Sequence, residues 1–178
     1  KINKAPFSAY LNFNDFQIIS SSPERFIQIK ERIAHTRPIK GTRPRGSSAE
    51  EDERNKLELI NSEKDKAELL MIVDLERNDF SKVCKAGTVK VKELFALEEY
   101  ATVFHLVSTI EGELEDNISA VKVMEECFPG GSITGAPKIR AMEIIEELEG
   151  LKRNIYTGAI GYFDFRGNSD FNIAIRTI

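Results

Sequence analysis

The chain has 178 residues, 41% of them hydrophobic, which is too apolar for a disordered polymer and enough to core one domain or part of a larger one. A formal net charge of −4 gives the whole surface no electrostatic reason to seek nucleic acid or a membrane. No apolar run approaches the roughly 20 residues of a bilayer span, and the opening KINKAPF lacks the pattern of a cleavable signal.

Residues 7–13 (FSAYLNF) and 16–20 (FQIIS) are aromatic and β-branched runs around Asn14-Asp15, which predicts an antiparallel hairpin. Residues 26–29 and 33–36 read as two more short strands. Pro38 and Pro44 then argue against regular pairing, so HTRPIKGTRPRG is expected to be a loop. Ser48 with Glu51 matches a capping box, predicting a helix from Ala49 to about Ile60; Ser62 with Asp65 opens a second towards Val83, with Gly87 beyond its end. Residues 89–94 and 102–111 read as strands able to pair. A helix over 118–128 is halted by Pro129 and Gly130-Gly131. Another starts near Pro137, with Ile144, Ile145 and Leu148 as its apolar face and Gly150 as its stop. Residues 155–165 and 171–178 close the chain as a hairpin over 166–169. Strand runs interleaved with helices define an α+β layer structure. FNIAIRTI stops inside an alternating strand, which predicts a chain truncated relative to the complete protein. Cys84 and Cys127 stand far apart among apolar residues and are expected to be buried, reduced thiols of a cytoplasmic protein.

Several positions carry chemistry. On the second helix Glu68 falls between Met71 and Ile72 and nearly under Leu75, which reads as a carboxylate inside an apolar arc. Such a group needs an ion-pair partner, a route to water or a hard cation such as Mg²⁺, which takes one or two carboxylates and keeps the rest of its shell for water and substrate. GGSITGAPK puts glycines and two hydroxyls, Ser132 and Thr134, before a helix N-terminus. That suits an anion as well as it suits an ordinary capped turn. Gly158 and Gly161 leave gaps on a strand of large residues, open to a ligand or to another backbone. Arg176, with Ala174 and Ile178 on its own strand face, calls for a carboxylate, internal or on a substrate. His105 sits alone in an apolar run and reads as a core histidine or a proton donor. Glu24, in SSPERF, reads as a helical first-turn acid or a surface partner of Arg25. Lys40 stands among Lys30, Arg32, Arg37, Arg43 and Arg45, a basic run with no interleaved aromatics.

SSPERF, RPIKGTRPRG, AELLMIVDLERNDFSKVC, HLVSTIEGEL, FPGGSITGAPKIRAMEIIEELE, YTGAIGYF and DFNIAIRTI, in this order, resemble the chorismate-utilising enzymes over nearly the whole chain. The resemblance implies an α+β sandwich of two antiparallel sheets flanked by helices, here a partial copy. It implies chorismate as substrate, Mg²⁺ held by Glu68, and contacts to chorismate from Gly41, Thr42, Thr134, Tyr156 and Arg176. His105 would line the pocket and Glu24 would be a catalytic acid. Lys40 is diagnostic, since anthranilate synthases carry a motif similar to P-I-A-G-T and a lysine there resembles the aminodeoxychorismate type. That type implies amination at C4 with ammonia from a glutamine amidotransferase partner, in the pathway to para-aminobenzoate and folate. A lysine amine adding at C2 as the 4-hydroxyl leaves, followed by ammonia at C4, gives net retention. The attacking amine must be neutral, and Arg37, Arg43 and Arg45 are expected to disfavour its extra positive charge. A second Mg²⁺ ligand and a glycine-rich loop are implied beyond Ile178, so the segment alone is expected to be inactive and to expose apolar surface. The rival readings are anthranilate synthase chemistry, C2 amination with loss of pyruvate, and a non-catalytic anion-binding module.

Overall fold

The structure is a computed structural model and describes residues 5–178, so the first four residues of KINKAPF lie outside it. Strands β1 (Phe7–Asn12) and β2 (Gln17–Ser22) form the expected hairpin and a small sheet of their own. The main antiparallel sheet contains β3 (Arg25–Lys30), β4 (Ile33–Arg37), β5 (Ile39–Pro44), β6 (Lys90–Glu99), β7 (Val103–Glu113), β8 (Ala159–Phe163) and β9 (Ser169–Ile173). Its centre is β7, long enough to take β4 and β5 end to end along one side while β6 occupies the other.

The Lys40 segment is a strand, not the expected loop. The prolines are tolerated because β5 lies at the sheet edge: Pro38 precedes it, Pro44 is its last residue, and Gly41, at φ +77°, absorbs a bulge between Lys40 and Thr42.

Helices α1 (Ala49–Ile60) and α2 (Glu63–Ser81) start at the predicted caps, with the Ser48 and Ser62 side chains accepting from the Glu51 and Asp65 amides. The reciprocal half of the first box is shifted by one residue, because Glu51 accepts from the Ser47 amide, 2.7 Å away. Leu69, Ile72, Val73, Glu76, Asp79 and Phe80 form the buried stripe of α2, which packs on β7 and β5 over a core containing Phe26, Ala34, Phe104, Leu106 and Ile110. Helix α3 (Ala120–Cys127) precedes a 3₁₀ turn, Gly131–Ile133. Helix α4 (Lys138–Glu149) ends on Gly150 in the left-handed region, as predicted. Its apolar face, however, is not core: α4 has no buried residue, and Ile144 and Leu148 are exposed.

The last strand also ends early. After Ile173 the chain crosses to the small sheet, where Ile178 exchanges backbone hydrogen bonds with Ile19 and the Arg176 carbonyl accepts from Ser21 N–H. Arg176 sits at the kink with φ +51°, so it does not share a regular strand face with Ala174 and Ile178. The gap at Gly161 is filled by backbone, since a Cβ there would lie 2.1 Å from the Asp170 carbonyl oxygen. Both cysteines are free and buried. No helix among the described residues is long and apolar enough to cross a membrane.

Candidate active site

Glu24 lies in the turn between β2 and β3, where its backbone is pinned. The Ser22 hydroxyl contacts both its N–H (3.2 Å) and its C=O (3.3 Å), and Ile173 N–H donates to the same carbonyl at 3.0 Å. Its side chain is buried, not a surface partner of Arg25, which pairs instead with Asp170. The carboxyl meets the Ser132 side chain and accepts from Ile39 N–H at 3.5 Å. Burial pushes its pKa up, and Ser132, the Lys40 charge and the Ile39 amide oppose this only in part. From β5, Lys40 Nζ donates to the Ser132 carbonyl oxygen at 2.9 Å. The GGSIT stretch is therefore gripped from both sides, by a buried acid and by an amine.

A second cluster adjoins the first along β5. Thr42 Oγ1 lies 2.9 Å from His105 Nδ1, and the Gly41 carbonyl accepts from the same imidazole. His105 is buried, and its pKa is lowered by burial and then by the positive charge of Arg176, with Gly41 opposing. The imidazole is therefore neutral at neutral pH, a hydrogen-bonding group lining the strand and not a fixed cation.

Other expected residues stand apart. Thr134 Oγ1 donates to the Gly130 carbonyl at 3.0 Å and borders a groove of about 360 Å³ shared with Ile133, Met142, Ile145 and Arg153. Tyr156 is exposed, the Arg153 guanidinium 5.9 Å from its ring centroid. Among the described residues no hydrogen bond joins Thr134, Tyr156 or Glu68 to Lys40 or Glu24.

Glu68 is exposed, with Lys64 3.8 Å away, so the reading that puts it inside an apolar arc is corrected. The arc is centred between Leu69 and Glu76, and Glu68 stands on its rim. No three His, Cys, Asp or Glu side chains gather into a metal cage among the described residues. A single accessible carboxylate still fits a cation that asks the protein for only one or two ligands. The arginines around Lys40 are also corrected: Arg37 pairs with Glu93 and Glu98, Arg43 with Glu58 and Asp65, and Arg45 with Asp52. Their charges are matched locally, and the Lys40 charge acts on Glu24.

Sequence reasoning missed Ser132's central place and a buried polar group behind it. Glu76 Oε2 lies 3.2 Å from Thr36 Oγ1. Asp79 pairs with Lys138 (2.5 Å) and Lys82 (3.1 Å). The signal was available, because Leu69, Ile72, Val73 and Phe80 at helical spacing enclose Glu76.

An amine and a buried acid converge on one glycine-rich turn, beside a threonine–histidine pair. The chain belongs to the chorismate binding enzyme family, whose model matches residues 1–178. It is similar to aminodeoxychorismate synthase component 1 of Bacillus subtilis (52% identity over the whole chain and 38% of that protein) and of Escherichia coli (54%, covering 99% of this chain and 39% of that protein). Anthranilate synthase component 1 of Saccharolobus solfataricus is 51% identical over 99% of this chain and 42% of its own. The crystal structure of anthranilate synthase component I from Streptococcus pneumoniae superposes with a TM-score of 0.88 at 39% identity, over 98% of this chain and 38% of that one. The chain thus spans about two fifths of the length of the curated relatives it matches, and its α+β architecture of antiparallel sheets and helices is a partial copy of the family fold.

Proposed function

We propose that this chain belongs to an enzyme that aminates chorismate at C4, giving 4-amino-4-deoxychorismate through an intermediate bound to Lys40. The observation that carries the reading is the convergence of the Lys40 amine and the buried Glu24 carboxyl on Ser132. Desolvation makes Glu24 hold a proton more readily than an ordinary carboxyl. Passing a proton from Lys40 to Glu24 replaces an ammonium–carboxylate pair by a neutral amine and a neutral acid. Lys40 then adds to C2, both ring double bonds shift by one position towards C4, and the C4–O bond breaks as Glu24 protonates the departing hydroxyl to water. Ammonia adds at C4 and the C2–Nζ bond breaks, restoring Lys40. Two allylic displacements account for retention at C4.

Gly41, Thr42 and Arg176 would orient chorismate, Arg176 through a carboxylate, with Thr134 and Tyr156 bordering the site and His105 holding Thr42. Glu68 would hold Mg²⁺, which when bound fixes the charge of a substrate carboxylate. A glutamine amidotransferase subunit would supply the ammonia, and a cytoplasmic place in folate synthesis goes with this chemistry.

The test is intact-mass spectrometry of the protein, at the length of its relatives, with chorismate and Mg²⁺ and without ammonia. A chorismate-derived adduct on Lys40, absent in Lys40→Ala, is expected. If no adduct forms and Lys40→Ala keeps full ammonia-dependent turnover, Lys40 is not the nucleophile. The 51% identity to an anthranilate synthase component supports the second reading, C2 amination with elimination. Pyruvate release in the same incubation would decide for it.

A further inference from the structure

Behind Glu24 lies a carboxyl that the amination chemistry does not use. Glu76 is on the buried stripe of α2, and its carboxyl faces the sheet with Thr36 as its hydrogen-bond partner. A threonine hydroxyl owns one proton. Thr36 Oγ1 lies 2.7 Å from the Phe26 carbonyl oxygen, which can only accept, and 3.2 Å from Glu76 Oε2. The shorter contact takes the hydroxyl proton, so a proton in the longer one must come from Glu76.

The surrounding charges agree. Asp79 has both oxygens matched to ammonium groups, Oδ2 to Lys138 and Oδ1 to Lys82, and Lys138 also donates to the Cys127 carbonyl at 2.8 Å. Lys40 is turned to Ser132. Glu24 and Asp79 both face Glu76 as like charges, with Lys138 the opposing cation, and the neighbouring Cys127 thiol adds no positive charge. Burial, then Glu24, holds the pKa of Glu76 well above its ordinary 4.5, with the Thr36 hydrogen bond and Lys138 opposing only in part. A cavity of about 10 Å³, the size of one water, is lined by Thr36, Glu76, Asp79 and Gly131.

The Phe26 carbonyl lies in the β-bulge where β3 slips against β4, two residues from Glu24. We infer that Glu76 is kept as an uncharged carboxylic acid and is a positioning residue, its proton completing a chain from Glu76 to Thr36 to the Phe26 carbonyl that fixes the strand carrying Glu24. An ionised Glu76 would compete for the Thr36 proton and leave the Phe26 carbonyl unmatched. This role in the reaction rests on the amination reading, in which Glu24 is the acid. The protonation state does not.

The two parts are tested separately. Infrared difference spectra between this chain and Glu76→Gln at neutral pH are expected to show a protonated carboxyl C=O band that shifts in D₂O. A carboxylate pair of bands in its place overturns the inference. In the protein at the length of its relatives, Glu76→Gln, which keeps a neutral donor to Thr36, is expected to retain kcat within about twofold and the same acidic limb of the pH–rate profile. Glu76→Ala is expected to lower kcat about tenfold with KM changed by less than about threefold. A displaced acidic limb in Glu76→Gln, or equal kcat in the Gln and Ala variants, overturns the positioning role. If wild-type protein gives no amination but the carboxylic acid band is present, the amination reading fails and the protonation assignment stands.

Discussion

Gly41 links fold to chemistry at a single residue. Its φ of +77° lets β5 bulge between the amine of Lys40 and the hydroxyl of Thr42, so that both reach the site. A Cβ at this position would lie 2.8 Å from Leu59 Cδ1 and 2.9 Å from Asp65 Cβ, against the end of α1 and the first turn of α2. Gly41→Ala therefore combines left-handed strain with overpacking and is expected to cost about 2–4 kcal/mol, read from the urea midpoint. The Leu59 side chain can turn aside, but Asp65 Cβ is fixed to its helix, so a cost below about 1 kcal/mol would mean that the first turn of α2 yields. Glu76 gives a prediction of a different kind. Its folded-state pKa is raised above the ordinary 4.5, so its contribution to stability is fully present below that value. It is lost as pH rises towards the folded value, because the unfolded carboxyl ionises freely while the buried one resists. Glu76→Gln removes that penalty. Unfolding free energies measured against pH should fall less steeply above 4.5 in the variant than in the parent.

At the scale of elements, what the sequence made legible divides by the range of the interactions involved. The helix starts at Ser48 and Ser62, the stop at Gly150 and the hairpin around Asn14-Asp15 are local chemistry, and they stand where the residues predict. The Lys40 strand is not local. Its prolines are acceptable only because β7 lies on one side and, among the described residues, no strand pairs on the other, a fact of sheet order that no short window contains. Arg176 was misplaced for a similar reason, since an arginine gives no sign of a left-handed kink. Within the site, the family motifs marked Glu24, Lys40, Thr42 and His105. Ser132 became visible only when the 3₁₀ turn was packed on the sheet, whereas the buried place of Glu76 is already written in the helical spacing of Leu69, Ile72, Val73 and Phe80. Lys138 ties these elements together, joining the first turn of α4 to Asp79 on α2 and to the Cys127 carbonyl at the end of α3. Lys138→Met leaves Asp79 buried with Lys82 as its remaining cation and is expected to destabilise the chain by about 3 kcal/mol in urea unfolding. Adding Asp79→Asn to that variant should recover part of the loss, because the cost lies in the stranded charge.

Across the whole molecule, the apolar side chains are unevenly covered. The sheet and α2 share a dense core, whereas Ile139, Leu148 and Leu151, on and just after α4, are 75%, 80% and 82% exposed. Covering one such side chain fully is worth about 1.5–3 kcal/mol, so contact between two copies through this region would gain several times thermal energy before the entropy of association is charged against it. Arg140, paired with Glu143 and Glu147, offsets only part of the negative charge of the helix, so the association is expected to strengthen as salt screens the remaining glutamates. The 178-residue chain is therefore expected to self-associate with rising concentration in sedimentation velocity. Leu148→Glu and Leu151→Glu together should shift the distribution towards monomer and leave the far-ultraviolet circular dichroism unchanged, since neither side chain supports the core. Unaltered association in the double variant would locate the contact elsewhere, with the exposed Tyr162 and Phe163 on the edge strand β8 the next surface to test.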